Sequence, residues 1–151
     1  MRAIFPVVAM SLLLTGCVAS LEENRSVAPT ERPAAFRAEA LVGKWGLASF
    51  RNDKDRARVE AQARAQCKLP YAIARGPTDG VMMHVADDTK LHELRLKGGA
   101  DGRTYLGFEA PPGDPQDREI LSLTNGMMVM RFVDPDVNTR YGTFVYVRCS
   151  G

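Results

Sequence analysis

From Tyr71 to Cys149 apolar and polar residues alternate in short runs, and turn-forming residues cluster between them. The runs are Tyr71–Ala74, Val81–Val85, Leu91–Lys97, Thr104–Phe108, Glu119–Thr124, Met127–Val133 and Thr143–Cys149. They are separated by Gly76-Pro77-Thr78-Asp79-Gly80, Gly98-Gly99-Ala100-Asp101-Gly102, Pro111-Pro112-Gly113-Asp114-Pro115 and Asp134-Pro135-Asp136. A period of two sends successive side chains to opposite faces, so runs of this length with such breaks predict antiparallel strands. Leu41–Phe50 reads as a further strand ahead of them. The pattern predicts a mainly β chain, a small antiparallel barrel-like domain over residues 41–151 with about seven to eight strands.

One segment departs from this period. After Phe50, Asn52 is a candidate N-cap, and Asp53 and Asp55 stand where a helix dipole favours negative charge. Arg56, Glu60 and Arg64 recur at four-residue spacing on one face, and Val59, Ala63 and Cys67 on another. Pro70 ends the element. The pattern predicts one helix after the first strand, with Cys67 pointing inward at its end.

Two hairpins can be put in register. Asn125-Gly126 is a strong two-residue turn signal. A turn there pairs Leu123 with Met128, Leu121 with Met130 and Glu119 with Phe132 on the face expected to meet the core. The other face then carries Ser122 with Val129 and Ile120 with Arg131. In the second hairpin, a turn at Asp88-Thr89 aligns Val81 with Leu96, Met83 with Leu94 and Val85 with His92. The reverse face pairs His84 with Glu93 and Met82 with Arg95. A one-residue slip would set His84 opposite His92 but would mix apolar with charged partners, and burial selects the cleaner register. The two histidines are therefore expected on opposite faces.

The N-terminus has a different logic. Arg2 precedes an apolar run from Ala3 to Leu14, interrupted by Pro6 and followed by Leu14-Thr15-Gly16-Cys17. This is the anatomy of a secretory signal, and the run is shorter than the about 20 apolar residues a membrane-spanning helix needs. Leu14-Thr15-Gly16-Cys17 resembles the lipobox of bacterial lipoproteins. The resemblance implies a signal peptide over residues 1–16 and acylation of the Cys17 thiol, palmitate included, after cleavage before it. Such a lipid would hold the protein to a membrane of the cell envelope. In that family the residues after the cysteine influence sorting, and Val18-Ala19, with no Asp, imply the periplasmic face of the outer membrane. Residues 17–40 then read as a lipidated N-terminus and tether. The segment is rich in charge and alanine, and as a flexible chain it would reach about 25–30 Å.

Composition adds exclusions. The formal net charge is +2, with 20 Lys and Arg against 18 Asp and Glu, and no basic cluster calls for nucleic acid. With Cys17 given to lipid, Cys67 and Cys149 remain, an even pair that reads as a disulfide in an oxidising compartment. Ser49, Ser122 and Ser150 lack a nucleophile-elbow setting, His92 is the one candidate buried base, and Asp87-Asp88 falls in a turn where aspartate is ordinary. No glycine-rich stretch is followed by Lys-Ser/Thr and a helix. The chain is therefore expected to be no enzyme and to take no cofactor. The five methionines after the signal, Met82, Met83, Met127, Met128 and Met130, fall on two strands, scattered between faces. That scatter favours core filling over a thioether metal site.

Gly43-Lys44-Trp45 on the first strand resembles the opening of lipocalin-like small barrels. It is also similar to the opening of the bacterial periplasmic protease-inhibitor family, which shares that barrel and is often lipidated. In that family the disulfide lies within the first half of the chain, whereas Cys149 lies in the last run here. Trp45 equally fits a plug at a barrel end. Three functions stand as expectations: a binding module for a small apolar ligand or a protein partner, a protease inhibitor, and a structural or assembly factor of the envelope. The first predicts an interior lined by Trp45, Met83, Leu94, Met128 and Met130.

Overall fold

The computed structural model describes residues 32–150. The lipobox and Cys17 lie outside them. Eight strands form one closed antiparallel barrel in chain order. They are β1 (Gly43–Phe50), β2 (Tyr71–Arg75), β3 (Val81–His84), β4 (Leu91–Gly98), β5 (Thr104–Gly107), β6 (Arg118–Thr124), β7 (Met127–Phe132) and β8 (Thr143–Arg148). Three helices accompany them: α1 (Ala38–Leu41), α2 (Arg56–Ala65) and α3 (Pro135–Tyr141). This is the mainly β barrel with a helix after the first strand that the alternation predicts. An eight-stranded barrel leaves an interior just wide enough for side chains to fill. Leu41, Trp45, Ile73, Val81, Met83, Leu94, Leu106, Ile120, Met128, Met130 and Tyr146 fill it as one cluster.

Closure is made by β1 and β8, paired over six positions from Trp45 opposite Arg148 to Phe50 opposite Thr143. Outside that seam lies α2. Asn52 accepts a hydrogen bond from the Lys54 N–H, as its capping role requires, and a short 3-10 turn over Asp53–Asp55 leads into the helix. Val59 and Ala63 of α2 pack on Phe50, Val145 and Val147, so the seam is buried on both faces. Gly46 lets the helix come close: a Cβ there would sit 1.8 Å from the Ala63 carbonyl oxygen. Cys67, just past the helix, is bonded to Cys149, with Cα atoms 5.5 Å apart. Helix, seam and disulfide thus form one block.

Part of the stretch that reads as tether is folded. Arg32 bridges to Gly98 at the end of β4, and the Ala35 N–H donates to Thr104 Oγ1. Phe36, Ala38, Ala40 and Val42 pack against the interior cluster around the fully buried Leu41. Leu41 is therefore not in β1 but in α1, which closes one pole of the barrel. Composition misleads here because a few apolar residues, each docked on a preformed core, suffice to order a segment that could not fold alone. Trp45 Nε1–H donates to the Leu41 carbonyl at 2.8 Å. The Arg148 guanidinium lies 4.2 Å from the Trp45 ring centroid and donates to the carbonyls of Val42 (3.0 Å) and Ala40 (2.6 Å). The plug reading of Trp45 describes this pole.

The β6–β7 hairpin turns at Asn125-Gly126, both with positive φ (51° and 71°), as its sequence requires. Leu123 opposes Met128 and Ser122 opposes Val129 as expected, but beyond them the register shifts by one residue. Ile120, not Leu121, pairs with Met130; Glu119 pairs with Arg131 and Arg118 with Phe132. The cause is a bulge at Leu121, which is left exposed. It turns Ile120 into the core and joins Glu119 to Arg131 by two hydrogen bonds of 2.8 and 3.0 Å. The β3–β4 register also differs, by two residues: Val81 opposes Leu94, Met83 opposes His92 and His84 opposes Leu91. A shift of two preserves the faces, so Val81, Met83 and Leu94 still point inward and the histidines still part. The turn Asp134-Pro135-Asp136 proves to be the start of α3. Asp134 caps it by accepting from the N–H groups of Asp136 and Val137, and Gly142, at φ 77°, ends it.

Two expected outcomes test the block around the seam. Replacing Gly46 by alanine should lower unfolding free energy by about 1–3 kcal/mol, the range for overpacking a filled contact, as read by urea titration. The Cys67→Ala/Cys149→Ala pair should lower it by up to about 4–5 kcal/mol, because the bond closes a loop of 82 residues in the unfolded chain.

Candidate binding site at the open pole

Trp45, Met83, Leu94, Met128 and Met130 do come together, but as packing: each is 2 % exposed or less. They interdigitate with Ile73, Leu106, Ile120 and Tyr146, and the clefts on the described surface are lined by other residues. Met82 and Met127 face outward, the latter against the α2 cluster. Among the described residues no three of His, Cys, Asp and Glu are grouped to hold a metal ion. Nor is any described helix long and apolar enough to cross a membrane.

The pole opposite α1 is built differently. Strand β2 starts there at Tyr71, β3 ends at His84, β6 starts at Arg118 and β7 ends at Phe132. A cleft of about 220 Å³ opens at this end, lined by Val85, Ala86, Asp87, Phe108, Pro115, Gln116, Phe132, Asp134 and Val137. Its walls come from the β3–β4 loop, the β5–β6 loop and the start of α3. Each wall is held by a specific contact.

The β3–β4 loop is latched to α3. Asp87, at φ 57°, accepts from the Tyr141 hydroxyl at 2.7 Å and from Arg140 at 2.8 and 3.2 Å. Its own N–H donates to the same hydroxyl at 3.2 Å. The Tyr141 hydroxyl first, and Arg140 second, hold the Asp87 carboxyl below its usual range. Asp88 accepts from the Lys90 N–H at 2.8 Å and lies 2.8 Å from His92 Nε2; these contacts, in that order, lower its pKa as well. The aspartate pair thus does more than sit in a turn. Asp87 ties the loop to α3, and Asp88 ties it back to β4 through His92.

The β5–β6 loop is stapled from below. The Lys97 ammonium donates to Asp117 Oδ1 at 2.6 Å and to the carbonyls of Phe108 and Ala110. The other oxygen of Asp117 accepts from the N–H groups of Gly113 and Asp114. The loop over 108–117 is folded around a buried, fully partnered ion pair, which is the form in which burying charge is tolerated.

Inside the same pole, Arg118 points into the barrel between Leu106 and Phe132, the residues that pair with it on either side. It is 5 % exposed. Nη2 donates to the His84 carbonyl at 2.5 Å, and the guanidinium carbon lies 4.7 Å from the centroid of the Phe132 ring. Tyr71 completes this rim: its hydroxyl accepts from the His84 N–H at 3.0 Å, lies 3.3 Å from His84 Nδ1, and its ring stacks toward Tyr146. Arg118 is the residue that pattern reading misses. With an unbulged register Glu119 faces the core and Arg118 lies on the outer face, and only the bulge at Leu121 reverses them. The signal was present in the charges, since the unbulged register sets Glu119 against Phe132 and Ile120 against Arg131. The bulged one makes an ion pair of Glu119 and Arg131.

The chain matches no protein-family model, and neither the curated proteins nor the solved structures include one significantly similar to it.

The latch has a defined pH dependence. Because the folded Asp87 pKa lies below the usual 3.8, its contribution is present above that value and is lost as pH falls through the lowered one. Exchange of the Asp87 amide, taken relative to its intrinsic rate at each pH, should therefore be constant from neutral pH down to about pH 4 and rise only below it. Tyr141→Phe should raise it several-fold at neutral pH, read by hydrogen exchange, while the rest of the barrel keeps its protection.

Proposed function

We propose that this chain is an envelope lipoprotein whose barrel acts by binding rather than by chemistry, with the open pole as its recognition surface. The observation that carries this reading is the asymmetry of the two poles. One is plugged by α1, Trp45 and Arg148, and Arg32, the first described residue, bridges to Gly98 there. An acyl group on Cys17 would tether that side, leaving the cleft among Val85, Phe108, Phe132 and Val137 to face away from the membrane. The well-packed interior directs the reading to this rim. A site of apolar walls with few polar groups suits a small molecule, and its volume suits a small one or the end of a longer one.

Two measurements on protein gently extracted from membranes test the proposal. Intact-mass and peptide analysis should find the mature N-terminus at acylated Cys17; an unmodified N-terminus at Val18 would overturn the anchoring. Native mass spectrometry should find a small organic molecule retained by the folded chain. Val137→Glu, which puts a charge on the cleft wall at a half-buried position, should lower its occupancy at least tenfold without changing the melting temperature. A chain that emerges empty in both forms would refute the binding reading.

A further inference from the structure

Arg118 has no counter-ion among the described residues. Among the described residues no carboxylate comes within ion-pair distance of it, and neither Nε nor Nη1 meets any acceptor. Its protein contacts are one carbonyl and the face of one ring. A buried charge ordinarily persists only when paired, and an apolar residue of similar volume in its place is often neutral or stabilising. Folding alone therefore gives no reason for a guanidinium here. Tyr146, buried in the same interior, cannot balance it: burial pushes its phenol up to about 12, against the opposing pull of Arg118, so it stays neutral.

We propose that Arg118 is the anchor for the carboxylate of a small organic acid that enters through the open-pole cleft. The inference rests on the reading of that pole as a binding site and names its ligand class. Of the two groups that Arg118 touches, Phe132 lines the cleft, and the His84 carbonyl is one peptide bond from Val85, which lines it. A planar guanidinium with donors free on two of its nitrogens matches a carboxylate, and a single buried positive charge is balanced by one negative charge. A dianion would leave a surplus near Asp87 and Asp134. Those two carboxylates are already engaged, Asp87 by Arg140 and Tyr141 and Asp134 by the N-terminus of α3. They repel an anion at the rim and leave Arg118 as the place for it.

The cleft also limits the rest of the ligand. About 220 Å³ holds roughly seven waters at ~30 Å³ each, so it admits an apolar body of about six heavy atoms among Val85, Phe108, Phe132 and Val137. Nε and Nη1 are closed from solvent, so entry requires the Phe132 ring and the β3–β4 loop to give way. The loop is held to α3 by exposed contacts, which are the kind that open readily.

Hexanoate is the probe, with 1-hexanol and hexylammonium as uncharged and oppositely charged controls, titrated into the full-length chain. Hexanoate is expected to bind at least tenfold tighter than hexanol, to raise the melting temperature and to shift the side-chain Nε–H resonance of Arg118. Arg118→Met is expected to fold with an unchanged or higher melting temperature and to lose the preference for hexanoate. Arg118→Lys, which keeps the charge but not the planar donors, should weaken hexanoate at least fivefold and leave hexanol unchanged; it also serves if the methionine variant fails to fold. Equal binding of hexanoate and hexanol, or hexanoate binding that survives in both variants, would overturn the carboxylate anchor. If hexanol still perturbs Phe108 and Phe132 in that case, the binding reading of the pole stands while the role of Arg118 falls. A methionine variant that is less stable yet binds hexanoate as before would make Arg118 a structural residue.

Discussion

Everything in this molecule depends on β8 finding β1. Seven strands in sequence make only a curled sheet with two open edges, and the interior becomes an interior when the last strand pairs with the first. The chain invests heavily in that seam. Six positions pair across it, α2 roofs its outer face, Trp45 and Tyr146 pack beneath it, and Cys67 and Cys149 are joined beside it. Gly46 is the small residue that lets helix and strand backbones approach. The helix that interrupts the β pattern is thus part of the closing device.

Closing the wall leaves two ends, and the protein treats them oppositely. At one end the hydrogen bond from Trp45 to the Leu41 carbonyl and the stacking of Arg148 on Trp45 lock α1 into the bore. Every polar group in that plug points at a backbone carbonyl, so burial leaves little unmet. At the other end the walls are separate loops, each fastened by its own contact: Asp87 to α3, and Lys97 with Asp117 beneath the β5–β6 loop. There a second buried charge, Arg118, meets no counter-ion among the described residues. A fully satisfied pole beside an unsatisfied one is the contrast expected between a structural end and a functional end.

The architecture was legible in the alternation of residues because the barrel obeys it nearly everywhere. Short runs became strands within a residue or two, Asn125-Gly126 became the turn its geometry demands, and Val59 and Ala63 pointed inward from one helix, with the bonded Cys67 just past its end. What escaped was nonlocal. The bulge at Leu121 is chosen by the match of Glu119 to Arg131 and of Ile120 to Met130 across the hairpin, and counting alternation from the turn steps over it. Asp134-Pro135 is equally a turn and a helix start, and only the latch from Tyr141 and Arg140 to Asp87 shows why a helix is needed there. Phe36 looks like punctuation in a polar stretch, and Leu41 like the start of a strand, until a barrel end exists to receive them. The candidate site was hidden for the same reason: Arg118 enters the interior only through the bulge.

The order of strands around the barrel has a consequence for how the protein is made. Synthesis delivers the chain from its N-terminus, so β1 emerges early and waits for β8 while the intervening strands arrive. During that interval β1 and the newest strand both present unpaired edges, and Cys67 is a free thiol whose partner in the described fold has not yet appeared. Barrel closure and thiol oxidation then fall at the same late moment. A ribosome that stalls before Thr143 leaves not a smaller barrel but an open sheet with a reactive sulfur. The thiol–disulfide state of Cys67 is accordingly a built-in record of whether synthesis reached its final strand.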